Sequence, residues 1–233
     1  MLVEENEIFN GVLLEYSRIQ TLYFENRKWS QMTEDELWHE LCLCILSSNV
    51  PYELALSALR HLVKHGYLSV EWITDNPKAD KIIAAELSKP IYLPKKTDGS
   101  LRKYRFPNVR SKNILNSAKI ISSKDAWLHD ILVDSPSEED ARSLLIRNIS
   151  GFGLKEASHF LRNIGYSKKL AIIDTHIISF LEEINALSAF QSKAITPKIY
   201  LALEDTLQEI CEDRGLLLSI FDMAVWHYMR KRA

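Results

Sequence analysis

Apolar residues recur at every third or fourth position along most of this chain, a spacing that predicts helices. Thr33-Glu34-Asp35-Glu36 reads as a capping box, with the Thr33 hydroxyl at the N-cap and Glu36 reaching back to it. Leu37, Leu41, Cys44, Ile45 and Ser48 then give that helix one buried face. Asn49-Val50-Pro51 stops it, and Pro51 can open the next helix at N1. Ser135-Pro136-Ser137-Glu138 marks another start, capped at Ser135 and feeding Ala141, Leu144, Leu145 and Ile149. Thr196-Pro197 does the same for Tyr200, Leu203, Leu207 and Ile210. No segment sustains a period of two. The pattern predicts an all-α fold.

Composition narrows the class without naming a function. The 233 residues are 46% hydrophobic and 26% charged, enough for one large domain or two small ones sharing a core. Seven Gly and seven Pro are too few for a β-sandwich, a collagen or a disordered chain. Cys42, Cys44 and Cys211 make neither a disulfide framework nor a four-thiolate cluster, so buried packing in a reducing compartment is the expectation. The acidic start Met1 to Glu7 does not look like a signal peptide, and no apolar stretch reaches the length of a membrane span. These features predict a soluble intracellular protein.

Net charge, −2, argues against a nucleic-acid partner until it is divided along the chain. Residues 1–50 carry nine acidic and three basic groups, whereas residues 51–130 carry eight and fourteen. The excess concentrates in Lys89, Lys95, Lys96, Arg102, Lys103, Arg105, Arg110 and Lys112, opposed by Asp98 alone. Tyr92, Tyr104 and Phe106 interleave them. A solvated loop and a phosphate-facing surface both fit this composition.

The segment from Glu139 to Gly165 carries chemistry. Two short amphipathic helices flank Ser150-Gly151-Phe152-Gly153-Leu154, and Gly165 ends the second. Two helices joined by a Gly-x-Gly turn form a helix-hairpin-helix, or else an ordinary helical turn. Gly151 and Gly153 let the turn present N–H groups, and the second helix adds its positive end, so a phosphate can bind with no excess of basic side chains. Glu156 stands where a dinucleotide-binding fingerprint needs a third Gly, and no Gly-Lys-Ser/Thr is present for a Walker loop. Lys155 falls in the first turn, where the helix dipole disfavours a cation and favours the neutral amine of a nucleophile. The competing reading is a surface lysine. Asp174, in the run Leu170-Ala171-Ile172-Ile173-Asp174-Thr175-His176, can cap the helix that follows and can also act chemically.

The hairpin with Lys155 and Asp174 resembles the HhH-GPD superfamily of DNA glycosylases, in particular its bifunctional members with a lysine nucleophile. Lys155 to Tyr166 and Ala171 to Ile177 more closely resemble the archaeal-type 8-oxoguanine DNA glycosylase/AP lyase family. So do Glu40 to Asn49 and Tyr104 to Ile114, and the likeness spans about Trp29 to Tyr228. The resemblance implies a flipped nucleotide, attack by Lys155 at C1′, loss of 8-oxoguanine, and β-elimination from the Schiff base. Asp174 would stabilise positive charge at the sugar. It further implies that Asn49 fills the hole left by the flipped base and that His176 contacts phosphate. Asp222, Trp226 and Phe106 would line the base pocket. As residues alone, Asn49 is equally a helix cap, His176 a structural histidine and Trp226 a core side chain. The implied fold has two helical subdomains, 29–170 and 1–28 with 171–233, and an active site in the cleft between them. Double-stranded DNA containing oxidised guanine is the implied partner, bound by a monomer working with the chromosome.

Several expectations are negative. His61 and His65, four apart, lack a carboxylate between them and a third ligand, so a solvated face is expected rather than a metal site. Without four cysteines, the iron–sulfur cluster of endonuclease III relatives is ruled out, and no cofactor is called for. A monovalent cation at the hairpin remains compatible. Family members typically end in a lysine, whereas this sequence ends Arg230-Lys231-Arg232-Ala233, which bears on base recognition. A glycosylase for another damaged base, or a non-catalytic hairpin module, stand as alternatives.

Overall fold

The computed structural model describes residues 7–23, 28–123, 127–187 and 195–232. Among them are twelve α-helices and no strand beyond one antiparallel bridge, Tyr92 to Arg102. The all-α expectation holds. No described helix is long and apolar enough to cross a membrane. The chain forms two compact units, residues 30–160 and residues 1–29 with 161–233. Residues 161–170 thus belong with the C-terminal unit, where Ser219 N–H donates to Lys168 O (3.2 Å) and Arg162 pairs with Asp222.

In the 30–160 unit, helix α2 (Glu34–Ser47) opens on the expected box. Glu36 N–H donates to Thr33 Oγ1 at 3.2 Å, and Thr33 N–H donates to Glu36 Oε2 at 2.7 Å. Its run from Leu41 to Leu46 is buried on every side, which makes α2 the centre of this core. Around it lie α3 (Tyr52–Lys64), α4 (Val70–Asp75), α5 (Ala79–Leu87), α6 (Pro107–Ile121), α7 (Trp127–Asp134) and α8 (Glu138–Asn148). Pro51 stands at the N-cap of α3 rather than at N1. Glu34 fixes the start of α7, accepting from Leu128 N–H (2.5 Å) and pairing with His129 Nδ1 (2.6 Å). Helix α9 (Leu154–Asn163) begins in this unit.

Three sequence expectations are corrected here. The cap of α8 is Ser137, not Ser135: Ser137 has the extended backbone of a cap and accepts from Asp140 N–H at 3.0 Å. Ser135 instead donates back to Ile131 O, closing α7 (2.6 Å). Tyr92 and Tyr104, which interleave the basic run, are buried and face no solvent. Their hydroxyls donate to Glu86 O (2.8 Å) and Leu46 O (2.5 Å), and burial pushes both phenols up from their ordinary values. The aromatics therefore anchor the basic loop, and Lys95, Lys96, Lys103 and Arg105 stay exposed. Finally, His61 is half-buried and pairs with Glu86 at 2.9 Å instead of facing solvent. No cluster of three metal-binding side chains occurs among the described residues. All three cysteines are free and buried, and burial pushes the Cys211 thiol up to about 12.

The other unit packs α1 (Glu7–Tyr23), α10 (Thr175–Glu183), α11 (Pro197–Glu212) and α12 (Leu218–Arg232), together with the end of α9. Phe9, Phe180 and Phe221, one from each of α1, α10 and α12, form a buried triangle with ring centroids 5.7–6.2 Å apart. Thr196 caps α11 as expected, with Pro197 in its first turn.

Gly11 sits inside α1, where Ala would ordinarily be preferred by about 1 kcal/mol. A Cβ there would overlap the ring of Tyr228 on α12. Gly11→Ala is therefore expected to lower stability in urea unfolding by about 1–3 kcal/mol. In a Tyr228→Ala background the same change should stabilise instead. A stabilising effect in the wild-type background would contradict this packing.

Candidate active site and nucleic-acid interface

The hairpin is built as a rigid turn. Gly151 has φ +85°, and a Cβ on it would overlap the Asn113 amide. Asn113 Oδ1 in turn accepts from Ser150 Oγ (3.2 Å), and Ser150 N–H donates to Ser117 Oγ (3.2 Å). Phe152 turns inward and meets Phe160, ring centroids 6.4 Å apart. Gly153 is the N-cap of α9, its carbonyl accepting from Ala157 N–H at 3.1 Å. A glycine cap has no side chain to satisfy the first turn. Glu156 supplies one acceptor, taking Gly153 N–H on Oε2 at 3.2 Å, which is half of a capping box. The N–H groups of Gly151, Leu154, Lys155 and Glu156 bond no described residue, which leaves four donors at the positive end of α9. Lys155 is half-buried, and its Nζ pairs with no described carboxylate.

Asp174 is held differently. The segment Leu170 to Ile173 is irregular backbone, yet buried. Its N–H groups cannot be left without partners, and side chains provide them. Leu170 donates to Ser167 Oγ (3.1 Å), Ala171 to Glu204 Oε1 (2.9 Å), Ile172 to Asp222 Oδ2 (2.8 Å) and Ile173 to Tyr200 Oη (3.2 Å). Tyr200 also donates to Ala171 O at 2.7 Å. This cradle delivers Asp174 as the N-cap of α10. Its Oδ1 accepts from His176 N–H (2.9 Å) and Ile177 N–H (3.0 Å), and Oδ2 bonds no described residue. The cap expected from sequence is present, and one oxygen remains open.

The other predicted residues divide between the units. Asp222 is 1% exposed, with Oδ1 accepting from Arg162 Nη1 at 2.8 Å and Oδ2 from Ile172 N–H. Burial pushes its carboxyl up, and the Arg162 guanidinium pulls it back. Both oxygens are thus engaged by the protein. Trp226, one turn on, is half-buried, with the Arg230 guanidinium 4.7 Å from its ring centre. The His176 ring stands perpendicular to it at 6.4 Å. Asp174, His176, Asp222 and Trp226 gather in this unit.

In the 30–160 unit, Asn49 is exposed just past α2 with φ +56°, a left-handed turn that Asn tolerates. Phe106, at the N-cap of α6, has the Arg105 guanidinium 4.9 Å and the Arg110 guanidinium 5.7 Å from its ring centre. Sequence reasoning missed Arg162, Tyr200, Glu204 and the capping role of Glu156. Only Glu156 carried a signal, a glutamate three residues after the glycine cap.

An all-helical chain that presents a glycine hairpin, a lysine in its first turn and a capping aspartate 19 residues on has the makings of a helix-hairpin-helix DNA glycosylase. The family model described as 8-oxoguanine DNA glycosylase matches residues 89–216. The 8-oxoguanine DNA glycosylase/AP lyase of Thermoplasma volcanium is 32% identical over 204 residues, 87% of this chain and 84% of the relative. The crystal structure of the Methanocaldococcus jannaschii 8-oxoguanine DNA glycosylase is similar at a TM-score of 0.72 and 29% identity, covering 97% of this chain and 94% of that one. The complex of the same organism's glycosylase/lyase with a DNA 15mer containing 8-oxoguanine matches at 0.69 and 27%, covering 98% and 93%. This chain belongs to the 8-oxoguanine DNA glycosylase family, within the HhH-GPD superfamily.

The Arg162–Asp222 pair gives a test of the cradle. Arg162→Ala leaves a buried carboxyl without its counter-charge and is expected to cost about 3–5 kcal/mol in urea unfolding at neutral pH. A carboxyl whose folded pKa is raised favours folding at low pH and loses that contribution as pH rises through the folded value. The deficit should therefore shrink towards low pH, where Asp222 folds neutral. A deficit below about 1 kcal/mol at neutral pH would contradict the pairing.

Proposed function

We propose that this chain is a bifunctional DNA glycosylase/AP lyase that releases 8-oxoguanine from duplex DNA and cleaves the strand through a Schiff base on Lys155. The reading is carried by Lys155, a half-buried amine in the first turn of the hairpin helix, in a chain whose relatives are named glycosylase/AP lyase. Gly151, Gly153 and the open N–H donors beside them hold a phosphate of the lesion strand. Exposed Lys95, Lys96 and Lys103 add counter-charge for the backbone, and Asn49 enters the space left by the flipped nucleotide. Phe106 and Trp226 each offer an aromatic face for the base, and Asp222 fixes the segment that carries Asp174. His176, whose ring nitrogens bond no described residue, takes a second phosphate.

The neutral Lys155 amine attacks C1′ as the C1′–N9 bond breaks, and the bonding pair leaves with the base. Asp174 Oδ2 faces the positive charge that develops at the sugar, while Oδ1 stays on the helix cap. The proton lost from the amine passes to the departing base, and the sugar ring opens at C1′–O4′ as O4′ takes up a solvent proton, which gives the protonated Schiff base. Removal of a C2′ proton then expels the 3′ phosphate, which nicks the strand. An amine and a carboxylate suffice, so the scheme calls for no cofactor and leaves room for a monovalent cation at the hairpin. One copy of the chain acts on one lesion, in the compartment that holds the chromosome.

A single-turnover assay on a duplex with one 8-oxoguanine tests the scheme. Wild type should release the base and nick on the 3′ side, and Lys155→Gln should do neither. Asn caps helices as well as Asp does, so Asp174→Asn should fold and bind, yet lose about 10²–10³-fold in rate. Turnover by Lys155→Gln, or wild-type rates in Asp174→Asn, would overturn these assignments. DNA binding without base release from this or any other oxidised duplex would leave a hairpin binding module.

A further inference from the structure

Capping α9 uses only one oxygen of Glu156. The other, Oε1, accepts from Ser48 Oγ at 2.7 Å, and Ser48 is 8% exposed at the end of α2. The two residues lie 108 positions apart in sequence, so this bond ties α9 to α2 within one unit. Ser48 is engaged on its other side as well, its carbonyl accepting from Arg110 Nη2 at 2.7 Å. Arg110 is 8% exposed, its Nε is buried without a partner, and its guanidinium lies 5.7 Å from the Phe106 ring centre. One polar path therefore runs from the cap of α9 through Glu156 and Ser48 to Arg110 and Phe106.

That path touches three elements to which the proposed function gives separate tasks. Lys155 precedes Glu156 in the first turn of α9. Asn49 follows Ser48 in a left-handed turn, so its direction depends on how Ser48 is held. Phe106 lies against Arg110. A cap alone would need one carboxylate oxygen and no partner on α2. The second bond fixes the Lys155 turn relative to the Asn49 turn, and it is held because the buried Ser48 hydroxyl would otherwise lose its partner.

We propose that Glu156 is a positioning residue of the lesion site, holding the turn of Lys155 in register with Asn49 through Ser48, and with Phe106 through Ser48 and Arg110. The proposal rests on the glycosylase/lyase reading of Lys155. Small misplacements at a reacting centre can cost about a hundredfold in rate. Glu156→Ala is accordingly expected to slow single-turnover base release by about ten- to a hundredfold, while affinity for a duplex with an abasic-site analogue changes less than about threefold.

Glu156→Gln can still accept from Gly153 N–H and can donate to Ser48 Oγ. It should restore the rate to within about fivefold of wild type. Ser48→Ala, which leaves the Gly153 bond in place, should be slowed by less than Glu156→Ala. The double variant should be no slower than Glu156→Ala alone, because both changes break one link. If Glu156→Ala does not fold, Ser48→Ala and Glu156→Gln carry the same comparison. Wild-type rates in Glu156→Ala or Ser48→Ala, or independent, multiplying losses in the double variant, would overturn the proposal while an active wild type left the enzyme assignment standing. A Gln variant as slow as the Ala variant would overturn it too, since charge and not linkage would then be at work. A wild-type chain inactive on the lesion duplex would instead overturn the enzyme reading, and the role of Glu156 with it.

Discussion

The first turn of a helix carries N–H groups that the helix itself cannot satisfy, and this chain places its candidate chemistry on two such turns. They are resolved in opposite ways. At α10 the cap is Asp174, which takes two N–H groups on one oxygen and is held by them. At α9 the cap is Gly153, which has no side chain to offer, so the Glu156 carboxylate takes one N–H and four neighbouring donors bond no described residue. An anionic side chain at the α9 cap would compete with DNA phosphate for those donors. A glycine leaves them open to the phosphate of the proposed function.

Holding Asp174 in place requires more than its cap. The backbone leading to it is buried without regular structure, which is costly unless each polar group finds a partner. Glu204, Asp222 and Tyr200 reach in from α11 and α12 to provide them. Asp222 is itself buried and needs Arg162. The result is a supporting layer in which Asp222 fixes the segment that carries Asp174, the carboxylate of the proposed function. Function and folding are coupled at that aspartate, so loss of its counter-charge should be felt in both.

Much of the fold was legible because helices are local. The capping box at Thr33, the Thr196-Pro197 start and the Gly165 stop all appear as read, since each depends on residues within one turn of one another. Ser135 was misread for Ser137 because two serines flank one proline and only the backbone distinguishes them. The basic run left a solvated loop and a phosphate-facing surface both open, and the burial of Tyr92 and Tyr104 within it is not legible locally: Leu46 O, which accepts from Tyr104, lies 58 residues away. The same limit hid Glu204, Arg162 and the Ser48–Glu156 bond. Lys155 and Asp174 could be picked out because a capping position and a helix first turn are visible in a short stretch of sequence. The exposed basic run explains why a net charge of −2 is no obstacle to binding DNA, since its lysines remain on the surface while the acidic excess lies elsewhere in the chain.

The proposed chemistry reduces to one covalent bond, between Lys155 Nζ and C1′ of the damaged nucleotide. Borohydride reduction during turnover on an 8-oxoguanine duplex would fix that bond, and peptide mass spectrometry would locate it. Chemistry at Lys155 predicts a reduced sugar adduct on that residue, at the start of the hairpin helix. An adduct on another lysine or on the N-terminal amine would contradict it, as would base release with no adduct at all.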